Sequence, residues 1–284
     1  VLANKIDRLK DRALMLSDAR LFFQQRNILE VDVPVMSTSA PIDPYIDLVV
    51  GTCMQKPCYF HSSPEYGMKR LIAAGFPDCY QISHVFRDLE LGQRHNPEFT
   101  MVEWYRLGND YSGLIKETID FIRLFLGDVE VFFESYQDLF PKYGFDYPDD
   151  PVLRDEIFAF EIEPQFQTLT VVDHFPKEMA MLSRTQKVGD KELARRFECY
   201  FKGIELANGY HELVDLQLLT SRLKANNVKR LELNKNTYPL DEHFLKACLP
   251  DCCGVAVGLD RLMMLRHGVE HIKDIIPFSY GEET

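Results

Sequence analysis

No stretch of the 284 residues is both long and apolar enough for a membrane helix, which needs ~18 uncharged apolar residues. The amino terminus, VLANKIDRLKDRALML, is charged and lacks the apolar core of a secretory signal. A cytoplasmic protein with no membrane partner is expected. The seven cysteines include no Cys-x-x-Cys pair and are odd in number, which argues against zinc and a disulfide framework and predicts reduced, buried thiols. Basic residues are outnumbered, 32 against 44 acidic ones, for a net charge of −12. Such a chain repels phosphate backbones at long range, so nucleic acid is not expected as its main partner, although a local basic groove can override the average. Both common phosphate loops, GxxxxGK[ST] and GxGxxG, are absent. His61, His84, His174, His243, His267 and His271 show no metal-ligand spacing, and no Ser-His-Asp or Cys-His arrangement emerges. There is no internal repeat, low-complexity tract or linker.

What is present suits an ordinary globular protein: 46% of residues are apolar and 27% charged. The length supports one large domain or two small ones. Ile6, Leu9, Ala13, Leu16 and Phe23 recur at helical spacing and predict a helix over 5–26. ILEVDVPVMS reads as a strand stopping at Pro34. In SSPEYGMKRLIAAG, Ser63 as N-cap, Pro64 at the first position and Gly75 beyond the end predict a helix. DCYQISHVFR and EFTMVEWYR read as the strands of a long antiparallel hairpin. YSGLIKETIDFIRLFL, LLTSRLKANNVKRLEL and DEHFLKACL read as helices. Residues 128–165 are weakly patterned and read as a helical insertion with loops. TLTVVDHF reads as a strand, RRFECYFKGIELANGYHEL as two strands turning at Asn208-Gly209, and CCGVAVGLDRLMMLRHG as strand, glycine turn and helix. Strands drawn from distant parts of the chain, with helices around them, predict an α+β domain built on an antiparallel sheet.

Alternation along the hairpin sorts its side chains. Phe99, Met101, Glu103 and Tyr105 share a face with Gln81, Ser83, Val85 and Arg87; the other face is apolar and aromatic. The charged face is either wet or a binding surface, and Phe99 and Tyr105 fit the wet reading poorly. In GIELANGYHEL, Glu205 shares a face with Phe201 and Gly203, and Glu212 follows past a turn. Together they can share Mg2+, an oxygen-seeking ion that keeps substrate phosphates in its shell; taken alone they read as two exposed acids. In GVAVGLDR, Gly254 and Gly258 permit close backbone approach and Arg261 can fork onto phosphate, or the segment is a tight packing corner. Glu65 lies in a first helical turn, where the dipole favours an acid without any function.

Taken in order, these segments resemble the catalytic core of class II aminoacyl-tRNA synthetases. NILEVDVPVM is similar to motif 1, FRDLELGQRHNPEFTMVEWY to motif 2 and GVAVGLDR to motif 3. SSPEYGMKRL, HNPEFTMVEWY, KGIELANGYHEL and GVAVGLDRL are most similar to the lysyl group. The likeness runs from about residue 6 to 280, with a divergent stretch at 128–165, and implies one catalytic domain spanning 1–284. Lysyl enzymes carry an anticodon-binding domain before motif 1, for which this sequence leaves no room. That feature, with Ser63 where lysyl enzymes commonly have Ala and Ala256 where they have Gly, resembles the elongation factor P β-lysine ligase family. Membership implies ATP-dependent activation of lysine or (R)-β-lysine as an adenylate and transfer to a lysine of elongation factor P, without tRNA anticodon binding.

The resemblance also implies residue roles. Arg87 binds the α-phosphate and substrate carboxylate and Arg261 the γ-phosphate; these two are the catalytic candidates. His95 reaches the outer phosphates, Asn96 reads the adenine edge, and Phe99 stacks on adenine. Asp88, Leu89, Leu206 and Gly258 complete the ATP set. Glu205 and Glu212 meet ATP and Mg2+. Ser63, Pro64, Glu65, Glu103, Tyr105, Glu212 and Ala256 surround the amino acid; the Ala256 methyl would reshape the pocket floor. Pairing through motif 1 implies a homodimer. One position departs: motif 2 normally reads Phe-Arg-x-Glu, and here Leu89 holds the glutamate position, one residue before Glu90. That departure keeps open a catalytically weak or inactive paralogue acting as a binding protein. A ligase for another acceptor, such as tRNA, is the remaining alternative.

Overall fold

A computed structural model of the chain describes residues 5–108 and 111–282, and these fall into two compact units. The expected span 1–284 also includes residues 1–4, 109, 110, 283 and 284, which lie outside the described residues.

The first unit joins residues 5–108 to 214–252 and 258–282. Its centre is the expected hairpin: Cys79–Phe86 pairs antiparallel with Glu98–Leu107, in a register that sets Gln81 opposite Glu103 and Val85 opposite Phe99. The short strand Leu29–Glu30 runs parallel to Cys79–Phe86. The helix Ile6–Gln24 packs on the apolar face of the hairpin, where Phe23 stacks on Tyr80 at 4.1 Å and meets Trp104 at 5.3 Å. Its buried stripe is Met15, Ala19, Phe22 and Phe23; of the stripe expected from spacing only Phe23 is fully buried, while Ile6 and Ala13 are exposed. Hydropathy ranks side chains but does not say which row of a helix meets the aromatic face of the hairpin. A further three-stranded sheet, Met36–Ser37, Lys56–Phe60 and Val50–Cys53, was not legible in the sequence.

DEHFLKACL does not form an α-helix. The Asp241 carboxylate caps the N–H groups of His243 and Phe244, but only a single 3-10 turn, Phe244–Lys246, follows. Ala247 is already extended, and Pro250 would block a longer helix.

The second unit holds residues 111–213 and Cys253–Val257. Arg196–Phe201 pairs antiparallel with Ile204–His211 and with Leu169–Asp173. Ala207–His211 pairs with Cys253–Val257. Residues 128–165 are not purely helical: Val131–Ser135 adds a strand parallel to Leu169–Asp173. Five residues reading VFFES are too short to show a period, but their β-branched and aromatic character suits a strand. The helices Tyr136–Lys142 and Pro151–Ile157 follow. The aromatics of this region, Tyr136, Phe140 and Phe158, fill a core together with Phe166, Phe175 and Tyr200. The sheet is therefore mixed, antiparallel in its main ladders, and flanked by helices.

The hairpin in this unit turns at Lys202-Gly203, not at Asn208-Gly209. Both turn residues take positive φ, +50° and +62°, as a two-residue primed turn requires. Asn208-Gly209 instead lies within the strand Ile204–His211. Gly209 is needed there for space: a Cβ would sit 2.3 Å from the Phe197 ring. Gly209→Ala is expected to destabilise the fold by about 1–3 kcal/mol, as overpacked cores do, read as a lower urea midpoint with an unchanged slope.

Candidate active site

The charged face of the long hairpin is dry. Gln81, Ser83, Met101, Glu103 and Tyr105 are all buried, which removes the solvated reading. Gln81 serves the fold: its side-chain oxygen accepts the Val33 N–H at 2.9 Å, tying the motif 1 segment to the hairpin. Glu103 is different. It accepts hydrogen bonds from the Ser63 hydroxyl at 2.5 Å and the Tyr105 hydroxyl at 2.6 Å. The same Ser63 oxygen accepts the Glu65 N–H at 3.1 Å, so Ser63 joins the helix Glu65–Ala73 to the carboxylate. Pro64, not Ser63, occupies the cap position of that helix, one residue later than expected.

Glu65 forms an ion pair at 2.6 Å with Lys69, one turn along the same helix. Lys69 is buried, and its ammonium lies 5.9 Å from the centre of the Tyr105 ring. Sequence reasoning missed Lys69, though the Glu-to-Lys spacing of four was there to find it. Two carboxylates thus share one resident ammonium in a buried site. Burial first, and then the charge of Glu65, push the Glu103 carboxyl up to about 8 despite the opposing hydroxyl bonds and Lys69. A carboxyl in this state gains from the arrival of a cation.

Further along the same face, the Arg87 guanidinium lies 5.0 Å from the centre of the Phe99 ring. Arg87 Nε is buried without a hydrogen-bond partner. Its Nη1 lies 3.6 Å from a Glu90 carboxylate oxygen. Asp88 is exposed, and Leu89 points its side chain outward, 82% exposed. Arg261, in the first turn of the helix Leu259–His267, approaches His95 at 2.9 Å. That helix start is held by Asp260, which accepts from Arg12 at 2.5 Å and from the Thr100 N–H at 2.8 Å; Arg12 also bonds the Thr100 hydroxyl at 2.6 Å. Arg261 is thereby fixed to the strand that carries Phe99. Gly258 caps the helix, and a Cβ there would meet only the Arg261 stem, at an ordinary 3.5 Å. Asn96 is buried with both ends of its amide engaged: it donates to the Glu98 carbonyl at 2.6 Å and accepts from the Tyr280 N–H at 2.9 Å. In this state its amide serves the backbone.

The second unit carries the other expected residues. Between the pairs Cys199–Ala207 and Tyr200–Glu205 the register slips by one residue. The turn at Lys202-Gly203 pairs Phe201 with Ile204 and so sets Glu205 on the face of Tyr200 rather than that of Phe201, and the bulge aligns it with Asn208. Asn208 pairs with Ala256 in the neighbouring strand, and its side-chain oxygen is buried without a partner. Reading Asn208 as a turn residue hid it; its place in a strand brings it to the Glu205 face. Leu206 is buried, and Glu212 is fully buried with its carbonyl accepting from Arg184 at 3.1 Å. Among the described residues no group of three or more His, Cys, Asp and Glu forms a metal cage. All seven cysteines are free; five are buried as expected, while Cys53 is half-buried and Cys248 is exposed.

The family model for class II tRNA synthetases of the D, K and N group matches residues 3–281. The chain belongs to that family. Within it, the chain is 38% identical to the elongation factor P--(R)-beta-lysine ligase of Vibrio atlanticus, over 98% of this chain and 97% of the relative. It is 38% identical to the protein of the same name from Vibrio cholerae, over 97% and 96%. The ligase of that name from Haemophilus influenzae strain PittGG matches at 37% over 96% and 95%.

Proposed function

We propose that this chain is an ATP-dependent ligase that activates (R)-β-lysine or lysine and joins it to a lysine side chain of translation elongation factor P. The observation that carries the reading is a division of labour on one hairpin face. Arg87 set against Phe99 suits a nucleotide phosphate beside a stacked base. Glu103 with Tyr105, Ser63 and the Glu65–Lys69 pair suits a second cation. Relatives of matching length with that ligase name supply the acceptor.

In the first step the amino acid carboxylate attacks the α-phosphorus of ATP, forming the adenylate and expelling pyrophosphate. Arg87 would neutralise charge on the α-phosphate, and Arg261 with His95 would take the outer phosphates. Phe99 would stack on adenine. Glu103, Tyr105, Glu65 and Ser63 would hold the substrate ammonium groups. In the second step the acceptor lysine amine attacks the adenylate carbonyl and AMP leaves. Positioning and charge stabilisation suffice for both steps. Mg2+, when bound, would offset phosphate charge. Glu205 and Glu212 would hold it, and the partnerless Asn208 oxygen on the Glu205 face fits such a polar occupant. Ala256, opposite Asn208, would border the substrate.

No helix among the described residues is long and apolar enough to cross a membrane. Leu14 and Leu21 on the first helix and Leu29 just beyond it are exposed, which supports pairing of two copies through motif 1. A dimeric mass in solution is the expected result, and a monomeric mass would remove that proposal.

The test is ATP–pyrophosphate exchange with lysine and with (R)-β-lysine, followed by mass spectrometry of elongation factor P incubated with enzyme, ATP and the better substrate. Exchange plus one added residue mass on a single lysine is expected. Absence of exchange with any amino acid would favour the binding-protein reading.

A further inference from the structure

We infer that Glu90 is a positioning residue for Arg87, and that Leu89 makes this possible through its backbone rather than its side chain. The inference rests on the adenylate-forming role proposed for Arg87. In an extended strand, residues three apart point to opposite faces, so a carboxylate at position 90 should face away from Arg87. The chain does not stay extended. Leu89 adopts φ +63°, the left-handed region that a branched aliphatic residue avoids unless its surroundings impose it. The imposition is visible. The Asp88 N–H donates to the Asp47 carbonyl at 2.7 Å, and the Leu89 N–H donates to the Asp88 carboxylate at 2.9 Å. Asp47 is itself immobilised by the fully buried Arg230 at 2.6 Å and by Lys235 at 2.7 Å. Arg230 also gathers the carbonyls of Asp43 and Ile46, so the loop that pins Asp88 is rigid.

Reversal at Leu89 sends its side chain to solvent and returns Glu90 to the Arg87 side, 3.6 Å from the guanidinium. Both partners are about three-quarters buried, with 23% and 27% of their side chains exposed. Arg87 is therefore held from two directions, by the Glu90 carboxylate and the Phe99 ring. The carboxylate restrains the rotamers of a flexible cation before nucleotide arrives, so less ordering remains to be done in the transition state. Leucine at position 89 thus does not leave the motif without its acid; the acid is supplied one residue later by a bent backbone.

The test compares Glu90→Ala, Leu89→Gly and Leu89→Pro in pyrophosphate exchange, with Arg87→Ala as reference. Glycine accepts positive φ, whereas proline is locked near −65° and also loses the N–H that bonds Asp88. Glu90→Ala is expected to lower kcat about tenfold with the amino acid KM held within twofold. Leu89→Gly is expected to be at least tenfold more active than Leu89→Pro. If Leu89→Pro fails to fold, Leu89→Gly and Leu89→Ala, which both keep the backbone N–H and can follow the positive φ of the parent, should retain near-parental kcat, and a collapse of kcat in both would overturn the backbone role. Combining Glu90→Ala with Leu89→Pro should lower kcat no further than either change alone. Normal kcat in Glu90→Ala beside an inert Arg87→Ala would overturn the inference and leave the site reading intact. Near-normal exchange in Arg87→Ala would overturn the site reading itself.

Discussion

Arg87→Ala is expected to lower ATP–pyrophosphate exchange by about 10²–10³-fold, the loss typical when one preorganised donor to developing charge is removed. The change removes a planar cation, not a core side chain: Arg87 lies at the end of the hairpin strand, with part of its side chain exposed. The fold should therefore survive, and the thermal midpoint should move little while turnover collapses. Arg87→Lys should recover only a small part. A lysine ammonium can neither fork onto phosphate oxygens nor lie flat against the Phe99 ring. The measurement is exchange at saturating amino acid with ATP varied. Exchange within a few-fold of the parent enzyme would remove Arg87 from the chemistry.

The second large effect belongs to Glu103. Glu103→Gln is expected to raise the KM for the amino acid by about a hundredfold, because a buried carboxylate facing a substrate ammonium is replaced by a neutral amide. Stability should move the other way or stay level. A carboxyl whose folded pKa, about 8, stands above its unfolded value prefers the protonated form in the fold. Its contribution to stability is full below about pH 4.5 and is lost as pH climbs towards 8. Glutamine never ionises, so the variant should lose that slope and be at least as stable as the parent at pH 8. The same shift governs binding. Below about pH 8 a cationic substrate must displace the Glu103 proton, so affinity should weaken as pH falls, by up to about tenfold per unit. Calorimetry in buffers of different ionisation enthalpy should register proton release on binding near pH 7 by the parent and not by Glu103→Gln. Equal proton release in both would assign the uptake of substrate charge to another group.

Much of this site was legible because one strand and its partner carry it. Alternation places Arg87, Phe99, Glu103 and Tyr105 together; the observed register agrees for the last three, and the Arg87 guanidinium lies over the Phe99 ring. Ordered motifs then narrowed the family, which the match over residues 3–281 established. The misreadings share a cause. Asn208-Gly209 is a strong local turn signal, yet the turn falls at Lys202-Gly203; Gly209 lies within a strand, where Phe197 fills the space that a side chain would need. Unbroken alternation puts Glu205 on the face of Phe201, whereas the turn at Lys202-Gly203 pairs Phe201 with Ile204 and sets Glu205 beside Tyr200, a consequence of pairing between strands.

Residue types and period-two spacing, properties of the chain alone, determined the hairpin, its two faces and the class of chemistry those faces offer. Tertiary structure decided what each charge experiences. Glu103 is an ordinary glutamate until burial and Glu65 hold it near neutrality. Lys69 is an ordinary helix lysine until burial sets its ammonium against Glu65 in a dry site. Glu90 faces away from Arg87 until a loop anchored by Arg230 bends Leu89 into the left-handed region. Local sequence sets the pattern of side chains along a strand. Desolvation, register and the direction of a loop depend on residues far apart in the chain, and those exist only once it has folded.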